Sequence, residues 1–193
     1  MFFRVAALCL MVCPAFADCV DYLSLTRGIA VKLEDGSVWR VRRTAHQVIR
    51  LEQTNAEGAY ARYVVGPYGV YPTESTRNGH GTISEYTYIR APGEPVAAMN
   101  WTSNVKAVST PIGAAAEPMR REKVRVTSGA VGTMTISDCA YKVLEIDMGH
   151  LDGPNPTVQH FTYFPDLRFG IQTRITYPAD TVKKSAVLAI WAQ

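Results

Sequence analysis

Residues 29–42 read IAVKLEDGSVWRVR, and this stretch decides the expected fold. Apolar side chains occupy every second position before and after its centre, as in strands with one buried face. Asp35-Gly36 at the centre favours a type I′ hairpin turn, because both residues accept a positive φ. Beyond the turn, Trp39 falls on one face and Arg40 on the other. We therefore predict two antiparallel strands joined by a tight turn.

The same period of two recurs along the chain, most regularly in residues 169–177, FGIQTRITY. Ser128-Gly129 predicts a turn, and residues 72–81 predict a loop. Residues 182–191 are apolar on both faces, which favours a central or covered strand. We expect an all-β fold with little helix, in which about eight to ten short strands form an antiparallel meander. The meander would make a curved sheet, a half-barrel or a barrel.

The first residues follow the order of a secretory signal. Arg4 is followed by an apolar run and then by AFA at residues 15–17, which matches the small-residue cleavage pattern. The apolar run is shorter than the ~20 residues that a stable bilayer anchor needs. We predict a signal peptide at residues 1–17 and, after cleavage, a single β-rich domain at residues 18–193.

Cleavage at that site decides which cysteines remain. Cys9 and Cys13 leave with the signal, and Cys19 and Cys139 form an even pair in an oxidising compartment. We therefore predict a Cys19–Cys139 disulfide and a periplasmic or secreted location. The alternatives are two free thiols, lipidation at Cys13 or Cys19, and a buried N-terminal helix in place of a signal.

The charge balance points to no particular partner. The whole sequence carries a net charge of +3, and loss of Arg4 reduces it to +2. Nucleic-acid-binding domains are far more basic, so we expect no nucleic acid as a partner. The sequence has no second long apolar run, so we expect no transmembrane span in residues 18–193.

One short segment is the best candidate for a metal or proton-transfer site. Asp147, His150 and Asp152 supply two carboxylates and an imidazole, a set that suits a divalent ion. Gly149 and the Gly-Pro after Asp152 are also ordinary turn residues, so a loop of solvated charges is the alternative. The sequence has no nucleophile elbow and no phosphate-binding loop, so we expect no catalytic residue and no cofactor.

Two groups of basic residues and one group of tyrosines are candidates for binding. If the basic groups share a face, they suit anionic head groups or glycan phosphates; otherwise each is the solvated face of a strand. The tyrosines either line an amphipathic pocket or fill strand faces. The basic groups are Arg40, Arg42, Arg43 and Arg50, and Arg120, Arg121, Lys123 and Arg125; the tyrosines are Tyr60, Tyr63, Tyr68, Tyr71, Tyr86 and Tyr88.

Two segments of the C-terminal half carry a resemblance to known proteins. Residues 129–143 read GAVGTMTISDCAYKV, and YFPDL at residues 163–167 leads into IQTR at residues 171–174. With the strands around them, over residues 124–176, they resemble uncharacterised bacterial envelope proteins. The resemblance implies a half-barrel sheet like that of lipoprotein carriers, and it implies no catalytic residues.

We therefore expect an exported envelope protein without catalysis. It would bind an apolar or amphipathic ligand, such as a lipid-like molecule, or support an envelope partner. The alternatives are a small secreted hydrolase with a loop-assembled site and a structural subunit of an envelope complex. A binding protein predicts a concave surface lined by tyrosines and Trp101, whereas a hydrolase predicts a histidine beside a serine and an acid in a cleft.

Overall fold

A computed structural model describes residues 19–77, 81–152, 156–177 and 185–193, so the predicted signal peptide lies outside the described residues. Within these ranges the chain forms one short helix and twelve strands, which confirms the all-β prediction. The elements are α1 (Ser24–Arg27), β1 (Ile29–Leu33), β2 (Val38–Ala45), β3 (Val48–Thr54), β4 (Tyr60–Pro67), β5 (Glu74–Arg77), β6 (Thr82–Tyr88), β7 (Asn100–Pro111), β8 (Arg120–Ile136), β9 (Cys139–His150), β10 (Thr157–Phe164), β11 (Phe169–Thr176) and β12 (Val187–Ala192).

The strands belong to one antiparallel sheet that is nearly closed and barrel-shaped. β1 to β11 lie side by side in sequence order, and β12 returns to pair with the free side of β1. Ser185, just before β12, donates its backbone N–H to the Thr173 carbonyl of β11 at 3.1 Å. The predicted meander is therefore confirmed, with β11 and β12 at its two edges.

The β1–β2 hairpin forms as predicted, but its turn has another geometry. Gly36 has a φ of 83°, whereas Asp35 is not among the described residues with positive φ. The Asp35 carboxylate accepts the Ser37 N–H at 2.9 Å and so stabilises a type I turn that ends in a left-handed glycine. Positive φ at two successive turn residues occurs instead at Ser137 and Asp138, between β8 and β9.

Two strands differ from the prediction, and a third has no clear pattern in the sequence. β8 runs through Ser128-Gly129, where its pairing with β9 shifts register, so that position is a bulge and the predicted turn is wrong. β5 lies inside the predicted loop at 72–81 and pairs with both β4 and β6. In β7, Ser103 and Ser109 occupy buried positions. The buried face of this strand is therefore partly polar, and the sequence does not show an alternation of apolar and polar residues.

β12 was expected to be central or covered, and it is neither. It lies at an edge of the sheet. Val187 and Ile190 are buried, whereas Leu188 and Trp191 are 51% and 42% exposed.

The turn between β4 and β5 fills the middle of the barrel. Tyr68 and Tyr71 are almost fully buried, and the Tyr71 ring packs edge-on against Trp101 at 5.7 Å between centroids. The Tyr68 carbonyl accepts the Gly170 N–H of β11 at 2.7 Å. The chain can fold back here because Gly66 has no side chain: a Cβ at that position would lie 1.8 Å from the Tyr71 carbonyl oxygen.

The predicted Cys19–Cys139 disulfide is present, and it joins two residues that are 120 positions apart in the sequence. It ties the segment before α1 to the start of β9, where the Val20 N–H also donates to the Tyr141 hydroxyl at 3.2 Å. Successive turns of a meander lie at alternate ends of the sheet. The bridge therefore lies at one end of the barrel, the disulfide end, and the β1–β2 and β3–β4 turns lie at the other, here called the polar end.

Candidate functional site

The inner face of β1 to β4 changes from apolar to polar towards the polar end. Val31 pairs with Trp39, Trp39 with Gln53, and Gln53 with Arg62, so these four residues form one row on the inner face. The next row towards the disulfide end is wholly apolar. That row consists of Ile29, Val41, Leu51 and Val64.

Arg62 is the charged member of the polar row, and it contacts β11 across the barrel. Its Nη1 donates to the Gln172 Oε1, and the Gln172 Nε2 donates to the Arg174 carbonyl at 3.4 Å. The β10–β11 pairing shifts register at this point, so both Gln172 and Thr173 occupy buried positions. The shift explains why two consecutive polar side chains of one strand lie inside.

Two cavities adjoin the Arg62 side chain, with volumes of about 350 and 420 Å³. Both are lined by Arg62 and Ile175, so we treat them as one site, the Arg62 cavity. The first is also lined by Leu33, Trp39, Gln53, Gln172, Thr173 and Arg174, and the second by Ser75, Thr76, Thr82, Ser84, Tyr86 and Gln159.

Trp39 has an unsatisfied donor beside this cavity. The residue is 2% exposed, and its Nε1 is the one buried side-chain nitrogen or oxygen among the described residues that lacks a hydrogen-bond partner. A buried donor without a partner costs about 1–3 kcal/mol. The Trp39 indole belongs to the wall of the Arg62 cavity, but its Nε1 has almost no accessible surface.

The structure does not bring Asp147, His150 and Asp152 together. Asp147 and His150 lie three residues apart in β9 and so point to opposite faces. Asp152 follows the strand and is exposed. In the described part of the chain, no group of three or more His, Cys, Asp or Glu side chains could hold a metal ion.

Asp147 instead belongs to a hydrogen-bonded chain on the outer face of β9, β10 and β11. The Asp147 Oδ1 lies 2.6 Å from the His160 Nδ1, and the His160 Nε2 lies 2.9 Å from the Thr176 Oγ1. Arg174 Nε donates to the same hydroxyl at 2.9 Å. The order acid, imidazole, hydroxyl is that of a hydrolase triad, with threonine as the hydroxyl residue.

His150 faces the barrel interior and pairs with an acid. Its Nδ1 lies 3.0 Å from the Glu122 Oε2, and its Nε2 lies 3.3 Å from the Gln159 amide nitrogen. The hydrogen bond from His150 lowers the pKa of the Glu122 carboxyl below its ordinary 4.5, although partial burial opposes this shift.

This pair makes stability depend on pH in the acid range. A carboxyl with a lowered pKa in the folded state contributes stability above its unfolded pKa and loses that contribution as the pH falls through its folded pKa. We expect the difference in Tm between wild type and Glu122→Gln to be largest near neutral pH and to shrink at a pH below about 4. Thermal unfolding across this range is the measurement, and an unchanged difference would refute the pairing.

Three of the six candidate tyrosines, Tyr68, Tyr71 and Tyr88, pack in the core and do not line the cavity. Tyr71 lies against Tyr88 and Trp101, and burial raises the pKa of both Tyr71 and Tyr88. Tyr86 is the member of the group that lines the Arg62 cavity, whereas Tyr60 is 40% exposed.

The two basic groups lie on different parts of the sheet. Arg40 and Arg42 belong to β2, whereas Lys123 and Arg125 belong to β8, and five strands separate β2 from β8. The two groups therefore do not form one shared face. Arg43 differs from the other arginines of the first group, because its Nη2 donates to a backbone carbonyl, that of Leu167, at 3.4 Å.

Sequence reasoning missed Arg62, although a signal was present. Residues 60–65 read YARYVV, and the period of two places Arg62 on the same face as Val64. A charged residue on the apolar face of a strand indicates a special interior environment. Its partner Gln172 could not be found in this way, because the register shift of β11 does not show in the sequence.

Neither a membrane-spanning helix within the described part of the chain nor a similar known protein was found. Among the described residues, no helix is long and apolar enough to cross a membrane. Comparison of the chain with family models, curated proteins and solved structures found no match.

Proposed function

We propose that this chain is an exported, non-catalytic binding protein whose Arg62 cavity takes a small amphipathic anion. The observation that carries the proposal is the half-buried Arg62 guanidinium, which lines a cavity beside the buried Gln172 side chain. A guanidinium in an interior of low dielectric favours a negatively charged partner.

The lining supports an anion as the ligand because it includes two arginines, Arg62 and Arg174, and one acid, Asp35. Arg62 and Gln53 contribute N–H groups, whereas the Thr173 hydroxyl already donates to the His160 carbonyl at 3.3 Å. Asp35 also lines the cavity, but its Oδ1 already accepts the Ser37 N–H and hydroxyl, at 2.9 and 2.6 Å. A carboxylate is the simplest anionic group that would accept hydrogen bonds from the Arg62 guanidinium.

The size and the walls of the cavity support a short ligand with an apolar part. Leu33, Ile175 and the Trp39 ring provide apolar walls, and the volumes fall in the range of small-molecule sites. Further inside, the barrel is filled by the buried turn that carries Tyr68 and Tyr71. The proposed ligand is therefore a short organic acid and not a long acyl chain.

Export is part of the proposal. A disulfide such as Cys19–Cys139 persists in oxidising compartments, which supports cleavage of residues 1–17 and a periplasmic or secreted location. We also propose that the fold is related to the half-barrel sheets of envelope carriers. An N-terminal sequence of the exported protein that begins at Asp18 would support cleavage, and an intact Met1 would refute it.

Arg62→Met tests the binding site. Binding of short fatty acids and aromatic carboxylates would be followed by tryptophan fluorescence and by ligand-observed NMR. We expect at least one acid to bind wild type and Arg62→Met to weaken it at least about tenfold, because a charge-assisted hydrogen bond contributes about 1.5–3 kcal/mol. Arg125→Met, on β8, is the matched control and should bind normally. Equal affinities of wild type and Arg62→Met would refute the site.

A second candidate function is ester hydrolysis at Thr176. It rests on the Asp147–His160–Thr176 hydrogen bonds, which orient an imidazole towards a hydroxyl. If this candidate is correct, wild type hydrolyses p-nitrophenyl acetate faster than the Thr176→Val and His160→Asn variants do. Equal rates for all three proteins would exclude it.

A further inference from the structure

A second basic site lies on the outer face of β2 and β3, away from the Arg62 cavity. Arg40 and Arg42 alternate with the buried Trp39 and Val41, so their side chains leave the barrel on its outer side. The register places Arg42 directly opposite Arg50 of β3. Side chains in such pairs start about 5 Å apart at Cβ, so two positively charged side chains leave the sheet next to each other on this face.

The surface here forms a groove of about 580 Å³. Arg27, at the end of α1, lies on one side, and Arg40, Arg42 and Arg50 line it from the sheet. Glu52 is the one acid among the described residues that line the groove. The groove is therefore strongly positive.

Arg50 is held in place by an acid and an aromatic ring. Its Nη2 lies 2.7 Å from the Glu52 Oε1, and its guanidinium lies 4.9 Å from the centre of the Tyr63 ring. Glu52 also faces Arg40 in the register, but its carboxylate pairs with Arg50. In the described residues, neither Arg40 nor Arg42 forms a hydrogen bond or an ion pair through its side chain.

Like charges directly opposite each other in a sheet are unfavourable, and Glu52 offsets the charge of Arg50 but not that of Arg42. We propose that the groove binds a phosphate group, which would accept hydrogen bonds from Arg40 and Arg42 while Arg50 supplies a fixed positive charge. Arginine forks match the geometry of phosphate oxygens, and phosphate offers enough acceptors for several donors at once. The phosphate belongs either to a soluble phosphorylated molecule or to a lipid head group.

The second basic group provides a matched control. Arg121 and Arg125 lie four residues apart on the same face of β8. Both are exposed, and together they carry the same charge as Arg40 and Arg42. Arg125 donates to the Asn100 side chain at 3.2 Å, and a single strand supplies the whole group. Arg121→Gln with Arg125→Gln removes as much charge as Arg40→Gln with Arg42→Gln.

The test is calorimetric titration of the folded protein with inorganic phosphate and pyrophosphate, and co-sedimentation with vesicles. The vesicles contain phosphatidylcholine alone or with an equal part of phosphatidic acid. We expect binding to at least one phosphate probe that falls about tenfold or more in R40Q/R42Q, stays near the wild-type value in R121Q/R125Q and weakens with added salt. Binding of pyrophosphate in solution assigns a soluble ligand, and binding of acidic vesicles alone assigns a lipid head group.

Two results would overturn the proposal. One is that wild type binds neither the two soluble phosphates nor the acidic vesicles, and the other is an equal loss of binding in both double variants, which would show general attraction to positive charge. Arg62→Met should bind the phosphate probes normally, so failure of the groove and failure of the Arg62 cavity can be told apart.

Discussion

Replacing Cys19 and Cys139 together with alanine should lower the free energy of unfolding by about 4–5 kcal/mol, because the disulfide closes a loop of about 120 residues in the unfolded chain. Cross-linking stabilises mainly by reducing the conformational freedom of the unfolded state, and the effect grows with loop length. Loss on this scale is a large part of the stability of a single domain.

Urea unfolding of wild type and of the double variant measures this difference. Wild type with a strong reductant should approach the stability of the variant, whereas the variant should not respond to reductant. The Val20 N–H to Tyr141 hydroxyl bond does not depend on the sulfurs, so part of the N-terminal attachment should persist. A difference below about 1 kcal/mol would mean that the bridge adds little to a segment already held by packing.

Gly66→Ala should be as damaging, for a different reason. An alanine Cβ would lie 1.8 Å from the Tyr71 carbonyl oxygen and 2.7 Å from the Tyr71 carbonyl carbon. Both atoms are backbone, so rotation of a side chain cannot relieve the overlap, and the buried turn must move. Because this turn places Tyr68 and Tyr71 in the core, we expect a loss of at least about 3 kcal/mol.

Gly129→Ala is the matched control for this substitution. It lies in β8, and a Cβ at that position would have no other atom within 4 Å. Alanine there should leave stability unchanged or raise it by up to about 1 kcal/mol. Thermal and urea unfolding of both variants is the measurement. Similar stabilities of Gly66→Ala and Gly129→Ala would show that the turn does not lie against Gly66.

The elements that sequence predicted well are those whose cause is local. In residues 29–42, alternation places Trp39 inside and Arg40 outside, and the pairing of β1 with β2 confirms both. The disulfide was predictable because only Cys19 and Cys139 remain once the predicted signal is removed.

The elements that sequence missed depend on distant contacts. Ser128-Gly129 has turn composition, but β9 pairs on both sides of it, so β8 continues with a bulge. β5 is a strand because β4 and β6 provide hydrogen-bond partners on both sides, and its own four residues carry no period that would show this. Local composition cannot report such pairings.

The candidate sites follow the same rule. Asp147 and His150 are close in sequence and resemble a metal site, but strand alternation sends them to opposite faces. Arg62 and Gln172 are 110 residues apart and meet only because the sheet rolls until β11 lies against the turn after β4. No pattern in one sequence relates two such positions.

Native mass spectrometry of the protein purified from the cells that make it tests the proposed ligand most directly. The Arg62 cavity predicts that a small organic anion accompanies part of the wild-type protein and that Arg62→Met, purified in the same way, carries none of it. Arg125→Met should retain the ligand. A bound molecule held equally by wild type and Arg62→Met, or wild type that carries no anion and binds none of the carboxylates, would contradict binding at Arg62.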